Sequence, residues 1–264
     1  MAQPSFDAAA AAYDRRVGRW SRLYIPRLVA AARIRPSDRV LDVATGTGEA
    51  ALVAASEVGP GGRVLGCDLS VPMLRGARAK VGERGVLLAC MDAQALACHS
   101  DSFDAVMCQL GLMFFPEVAA ALREFWRVLR KGGVMTACVW SAPERAPLVS
   151  IFAEVMTRYV PAKREELLVG TSLGDRRRLR NLVADAGFDE VSVTGETQPI
   201  TFGTFEEYWE PIAAGGSPGA ALYTTLTATV RDTVKAEVQA RMQPYMSAER
   251  LVLDTEALFV VGQK

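Results

Sequence analysis

A surplus of charge is the first thing this sequence lacks: its 30 Lys and Arg balance its 30 Asp and Glu. Partners that select a basic surface, nucleic acid or an anionic membrane, are therefore not expected. Long apolar runs are missing too. No segment approaches the roughly 20 residues of a membrane-spanning helix. The alanine run at 8–12 is too short for a secretory leader, so none is expected. Cysteine occurs without ligand or disulfide spacing. Cys67, Cys90, Cys98, Cys108 and Cys138 are odd in number and hold no CxxC pair, which points to small buried thiols in a reducing cytoplasm and to no metal site. Histidine is reduced to His99, in a predicted turn, so candidates for a general base are few.

What is present is an apolar chain. Half of the residues are hydrophobic, enough for a sizeable core, and 264 residues fit one large α/β domain or two small ones. The organising stretch runs from Arg39 to Glu49. It reads as a buried strand, Val40-Leu41-Asp42-Val43, then a glycine turn at Gly46 and Gly48, then an alanine-rich helix from about Glu49. Strand, glycine turn and helix N-terminus bring backbone N–H groups up to a nucleotide-like ligand.

The alternation continues. Strands are predicted over 39–43, 63–67 (closed by Asp68), 86–91 (followed by Asp92), 103–109 and 134–140, with later strands over 189–195 and 255–261. Helices are predicted over 20–34, 48–58, 117–130 and 146–159, behind the caps Ser70 and Asp175, and over 220–242. Val118, Leu122, Phe125, Trp126 and Leu129 mark one helical face, and Lys131-Gly132-Gly133 stops it. The arginines at 176–178 and 180 read as a solvated surface. Five strands alternating with helices predict a doubly wound, mostly parallel sheet covered on both faces. The segment near 199–250 reads as an insertion over that single domain.

In such sheets ligands sit at the carboxyl ends of the strands. Asp68 follows Gly48 by about 20 residues, the spacing at which a carboxylate accepts from both ribose hydroxyls. Asp92 is placed to accept from an exocyclic adenine amino group. Two cofactors fit to this point. Gly46-x-Gly48-x-x-Ala51 formally matches a dinucleotide fingerprint, so an NAD-dependent oxidoreductase stays open. Asp42, however, is expected at the mouth of the turn, where it would repel a pyrophosphate but suit a cationic methionine end. Charge sign favours S-adenosylmethionine over NAD.

The run Val40-Leu41-Asp42-Val43-Ala44-Thr45-Gly46-Thr47-Gly48 resembles the first motif of class I S-adenosylmethionine-dependent methyltransferases, most closely the ubiquinone/menaquinone-biosynthesis branch. Gly66-Cys67-Asp68-Leu69-Ser70-x-x-Met73-Leu74, Asp92-Ala93, Phe103-Asp104, Phe114-Phe115-Pro116-Glu117 and Glu124-x-x-Arg127-Val128-Leu129-Arg130-Lys131-Gly132-Gly133 extend the likeness over about 38–140. The resemblance implies a Rossmann-like seven-stranded sheet with an antiparallel last strand. It also implies that Asp42, Ala44, Thr45, Gly46 and Gly48 hold the methionine end of S-adenosyl-L-methionine, with S-adenosyl-L-homocysteine as product. Asp68 and Leu69 would hold the ribose, Met73 would pack under the adenine, and Asp92 and Ala93 would read its edge. Gln109 and Leu110 would approach the sulfonium. Ala44 departs from the commoner family pattern, which has glycine there.

Tyr13 and Trp20 are counted with the cofactor site and also border the acceptor. Gly111, Met113, Phe114, Trp140, Tyr208 and Trp209 are the acceptor candidates, and their aromatic character suggests an apolar or aromatic small molecule. The expected reaction is C- or O-methylation by in-line displacement, without a protein nucleophile. The scarcity of histidine favours carbon methylation of an activated ring, or a base that is Asp, Glu or Tyr. The expected layout is one domain: an N-terminal helical segment (1–35), a cofactor core (36–198), a helical lid (199–250) hinged on 215–219, and a last strand (251–264). A homodimer through the helix near 220–242 and a non-enzymatic cofactor-binding protein on the same fold both stay open.

Overall fold

The computed structural model describes residues 18–82, 84–247 and 250–264. Helix α1 (Arg19–Ser21) and a 3-10 turn over Arg22–Tyr24 lead into α2 (Ile25–Ala31). Pro26 occupies the first turn of α2, where its missing N–H has no intrahelical partner to lose. The chain then alternates: β1 (Arg39–Val43), α3 (Glu49–Val58), β2 (Arg63–Asp68), α4 (Val71–Val81), β3 (Val86–Cys90), β4 (Phe103–Gln109), α5 (Val118–Val128) and β5 (Leu129–Trp140). Ser70 caps α4 by accepting from the Met73 amide at 3.3 Å. After β5 come α6 (Pro147–Tyr159), α7 (Arg164–Leu168), α8 (Arg176–Asp185), β6 (Asp189–Phe202), α9 (Phe205–Ala213), α10 (Pro218–Thr224), α11 (Ala228–Met242) and β7 (Leu251–Gln263).

The seven strands form one sheet in the order β3-β2-β1-β4-β5-β7-β6. The five strands β1 to β5 pair in parallel, whereas β7 runs antiparallel to both β5 and β6. This is the Rossmann-like α/β architecture that the sequence pattern and the family resemblance imply. Strand order reverses between β1 and β4, so the crevice for a ligand opens over their carboxyl ends. Every residue of β1 after Arg39 is buried, because helices cover both faces of this central strand.

Several boundaries differ from expectation for physical reasons. Helix α5 ends at Val128, and Leu129 turns directly into extended backbone, fully buried and paired with Phe103. Strand β5 thus begins before the Lys-Gly-Gly stop, not after it. Strand β6 continues to Phe202 and β7 starts at Leu251, because the two zip together from Asp189–Gln263 to Phe202–Leu251. Pro199 is tolerated because β6 is an edge strand. The described residues that leave the sheet between them are therefore 203–247 and 250. The helix expected over 220–242 is two helices. Thr224 and Thr225 turn their hydroxyls onto the preceding turn, and Thr227 caps a fresh start by accepting from the Val230 amide.

Cys67, Cys108 and Cys138 are buried as expected, but Cys90 is exposed at the end of edge strand β3 and Cys98 is half-buried. Arg176 is not simply solvated. It donates to Glu256, a buried carboxylate on β7 that also accepts from Ser141 at 2.6 Å and pairs with Arg145 at 2.9 Å. This cluster ties the chain leaving β5 to β7 and α8, and so fixes the wall that begins at Trp140. Among the described residues no helix is long and apolar enough to cross a membrane.

Candidate functional site

The site begins where β1 breaks into its turn. Ala44, Gly46 and Gly48 all have left-handed backbone, at φ 55°, 54° and 85°. For Ala44 that conformation is strained, since its Cβ crowds the following carbonyl. The neighbouring strand makes room: a Cβ on Gly111, just past β4, would lie 2.4 Å from the Ala44 Cβ. The alanine that replaces the usual glycine is thus matched by a glycine opposite it. Similarly, a Cβ on Gly66 of β2 would lie 2.8 Å from the Thr45 hydroxyl, so that glycine gives Thr45 its place.

Thr45 matters because it donates to Asp42 at 2.6 Å. Asp42 does not stand open at the mouth of the turn, as its position in the sequence suggested. It is wholly buried between β2 and β4, reaching beneath the turn, and its Oδ1 has no hydrogen-bond partner. Burial pushes its pKa up from 3.8 to about 7; Thr45 opposes the shift and the nearby Asp68 charge adds to it. A buried carboxyl with one unsatisfied oxygen is well matched to a cationic donor arriving above it.

Asp68, at the end of β2, binds two backbone amides: Gly46 N–H to Oδ2 at 2.8 Å and Ser70 N–H to Oδ1 at 2.9 Å. It thereby holds the glycine turn to the start of α4. Leu69 beside it is exposed, whereas Met73 is buried on the first turn of α4. After β3, Asp92 accepts from the backbone and side chain of Gln94 at 2.9 and 3.1 Å, and Ala93 is buried behind it. Beyond the turn, Lys80 of α4 donates to Thr47 and Glu49, and Arg22 pairs with Glu49 at 3.3 Å.

Strand β4 ends on Gln109, which donates to the Ser21 carbonyl at 3.1 Å and leaves its buried Oε1 without a partner. Leu110 follows in left-handed backbone at φ 52°, its amide held by the Cys138 carbonyl. The strained pair Ala44 and Leu110 therefore faces the strand-order switch from both sides.

Leu110 also lines a cavity of about 170 Å³. Its other walls include Trp20, Phe114 and Trp140 from the core side, Leu148 and Phe152 from α6, and Phe202, Tyr208 and Ile212 from the end of β6 and α9. Trp20 lies against Trp140 at 5.9 Å between ring centres, and Tyr24 meets Trp140 edge-on at 5.5 Å. Among the expected acceptor residues, Phe114, Trp140 and Tyr208 line this cavity; Gly111, Met113 and Trp209 do not. Gly111 sits against Ala44, Met113 is buried in the core, and Trp209 packs among Phe152, Phe205 and Tyr223. Tyr13 lies outside the described residues. Phe152, Phe202 and Ile212 were missed because each reads as an ordinary core residue of its own element.

The cavity is poor in acid–base groups. Tyr208 donates to the Leu148 carbonyl at 3.4 Å, and burial pushes its hydroxyl well above the usual phenol range. Ser217 caps α10 by accepting from the Ala220 amide. His99 is exposed in the loop entering β4, at the opposite end of that strand from Leu110.

Comparison with known proteins places this geometry. The family described as "Methyltransferase domain" matches residues 41–137. An uncharacterised protein of Mycobacterium tuberculosis is 41% identical over 118 residues, covering 44% of this chain and 42% of the relative. The chain thus spans less than half of that relative's length. A ubiquinone/menaquinone biosynthesis C-methyltransferase of Pectobacterium atrosepticum is 30% identical over 176 residues, 60% of this chain and 69% of the relative. In fold, the chain is similar to a phosphoethanolamine N-methyltransferase of Haemonchus contortus solved with phosphomonomethylethanolamine and S-adenosylhomocysteine. That likeness has a TM-score of 0.62 at 20% identity and covers 98% of this chain and 58% of the other. With an acidic residue closing each of β2 and β3, a glycine turn over a buried Asp42 and a methyltransferase match across all of them, the chain belongs to the class I S-adenosylmethionine-dependent methyltransferases.

Proposed function

We propose that this protein transfers a methyl group from S-adenosyl-L-methionine to a small apolar or aromatic acceptor. The observation that carries the reading is the join just past β4: Leu110 lines the aromatic cavity, and the next residue, Gly111, packs against Ala44 of the glycine turn. The residues present fit the cofactor. Asp42 offers an orphaned buried oxygen to the methionine ammonium, the 44–48 turn and Gln109 border that end, Asp68 and Leu69 take the ribose, and Met73, Asp92 and Ala93 enclose the adenine. When bound, the cofactor supplies an electrophilic methyl on a sulfonium, which needs no protein nucleophile.

The chain's own contribution is then to hold the acceptor in line and to keep water out, worth several kcal/mol where two reactants are prealigned. A cavity of about 150 Å³ lined by apolar side chains admits a benzene ring, so the acceptor's reacting part is about one ring in size. No carboxylate or imidazole lines the cavity among the described residues, and Tyr208 is held protonated. The acceptor atom must therefore arrive nucleophilic, as an activated ring carbon or an oxygen already ionised. Residues 203–247 act as the lid, with Gly216 and Ser217 in the turn between α9 and α10 forming part of the wall. We place the protein in the cytoplasm.

Incubating the protein with methyl-labelled cofactor and a metabolite extract tests this reading. A labelled small molecule is expected; cofactor binding with no labelled product would make the protein a regulatory binder instead.

A further inference from the structure

The loop between β3 and β4 carries Asp92 and Ala93, yet residues 91–102 contain no helix or strand to hold them in place. Several of the backbone groups in this loop are met by α5. The Leu96 amide donates to Glu124 Oε2 at 2.8 Å. Arg127 donates through Nη2 to the Leu96 carbonyl at 2.9 Å and through Nη1 to the Cys98 carbonyl at 2.8 Å. The same guanidinium is braced by Glu124, with Nε to Oε1 at 2.7 Å and Nη2 to Oε2 at 2.8 Å. At the other end of α5, the Glu117 amide donates to Gln94 Oε1 at 2.8 Å, and the Gln94 side chain in turn donates to the Asp92 carboxylate. Helix α5 thus grips the loop at two points, and the second grip ends on Asp92 itself.

From this geometry we propose that Glu124 and Arg127 are positioning residues that set the nucleobase selectivity of the site by fixing the 91–102 loop. The proposal rests on the reading that Asp92 accepts from the amino group of adenine. The planar fork of arginine is required, because two carbonyls and a carboxylate are held at once in fixed directions. Lysine, a point charge with one nitrogen, cannot replace it. A loop released from α5 would still place Asp92 near the base but no longer at a defined hydrogen-bonding position. The methionine end, held by β1 and β4, would be untouched.

The test needs no knowledge of the acceptor. Calorimetry would measure binding of S-adenosylhomocysteine and of its inosine analogue, in which a 6-oxo group replaces the 6-amino group. The wild type should prefer the amino form, and Arg127→Met and Arg127→Lys should each lose about tenfold of that preference, the scale of one hydrogen bond to a charged group. Glu124→Gln, which keeps an acceptor for the Leu96 amide but turns a donor toward Arg127 Nε, should lose only part of it. A purely structural role would lower the unfolding midpoint and weaken both ligands equally. If the Arg127 variants do not fold, Gln94→Leu breaks the second grip at a half-buried position and should show the same loss of preference. Variants that keep the wild-type ratio would overturn the clamp alone, whereas a wild type indifferent to the amino group would overturn the reading of Asp92 on which the clamp rests. A wild type that binds neither analogue would overturn the cofactor reading and the clamp with it.

Discussion

The two halves of this site are built in opposite ways. The half proposed for the cofactor lies over β1, β2 and β3 and is held by short polar bonds: Thr45 to Asp42, Gly46 and Ser70 to Asp68, Gln94 to Asp92. All of it falls within the residues, 41–137, that match the methyltransferase family. The acceptor half is apolar and assembled from distant pieces. Of its walls, Leu110 and Phe114 lie inside the matched stretch, whereas Trp20, Phe152, Phe202, Tyr208 and Ile212 lie outside it. A fixed cofactor demands fixed donors and acceptors, while an acceptor pocket can be remade from any helix that covers the same crevice. On the proposed reading, the methyl donor is a family property and the acceptor is chosen by residues outside the matched stretch.

Substitutions that act on one half only would sharpen that contrast. The largest effect is expected from Phe152→Ala, which removes a buried ring packed edge-on against Trp209 and Tyr223 and should cost about 3–5 kcal/mol of stability in denaturant titrations. Cofactor affinity should stay within about twofold, since no wall of the polar half is touched and distant sites act independently. A large loss of cofactor binding would show that the two halves are not separable.

Next is Asp42. Its carboxyl is pushed up from 3.8 to about 7, so its contribution to stability is fully present below about pH 4 and is lost as pH rises through about 7. The full difference is on the order of 4 kcal/mol. Asp42→Asn should therefore leave stability near pH 4 unchanged and raise it at pH 8, by up to that amount, while weakening cofactor binding. Unfolding curves at the two pH values, run without ligand, check the sign; a variant less stable at pH 8 would contradict it.

Gly111→Ala comes third. Its new Cβ would meet the Ala44 Cβ at 2.4 Å, an overpacking expected to cost about 1–3 kcal/mol. Ala44→Gly in the same chain should restore most of that loss. Alone, Ala44→Gly relieves a left-handed alanine, the smallest effect, expected within about 1 kcal/mol of neutral. Thermal unfolding of the two single variants and the double variant measures the coupling directly.

The same division explains what the sequence made legible. Val40 to Gly48, Asp68 and Asp92 are local signals, each a strand end followed by a turn, and the strands they close align in register by parallel pairing alone. The seven strands and the antiparallel β7 followed from the family pattern, and the order of the strands did not. What was not legible depends on contacts far apart in the chain. Nothing near Asp42 indicates that Gly66 and Gly111 leave the space in which Thr45 and Ala44 sit, and that its carboxyl is wholly buried. Phe152, Phe202 and Ile212 look like core residues of three separate elements until tertiary packing brings them around one void. Glu256 reads as a surface residue of a strand, and only the folded chain shows it buried against Ser141, Arg145 and Arg176. The break at Thr225 was hidden by hydrophobic spacing that continues in phase from Leu222 to Val238.

Asp68 carries the central claim, because the same carboxylate that holds Gly46 and Ser70 is assigned to the ribose. Calorimetry of S-adenosylhomocysteine binding to the wild type and to Asp68→Ala, with thermal unfolding to confirm that the variant is folded, tests it directly. Loss of two charge-assisted hydrogen bonds predicts a fall in affinity of roughly 100-fold or more. Near-equal affinity in a folded Asp68→Ala protein would contradict the placement of the cofactor over β1 and β2.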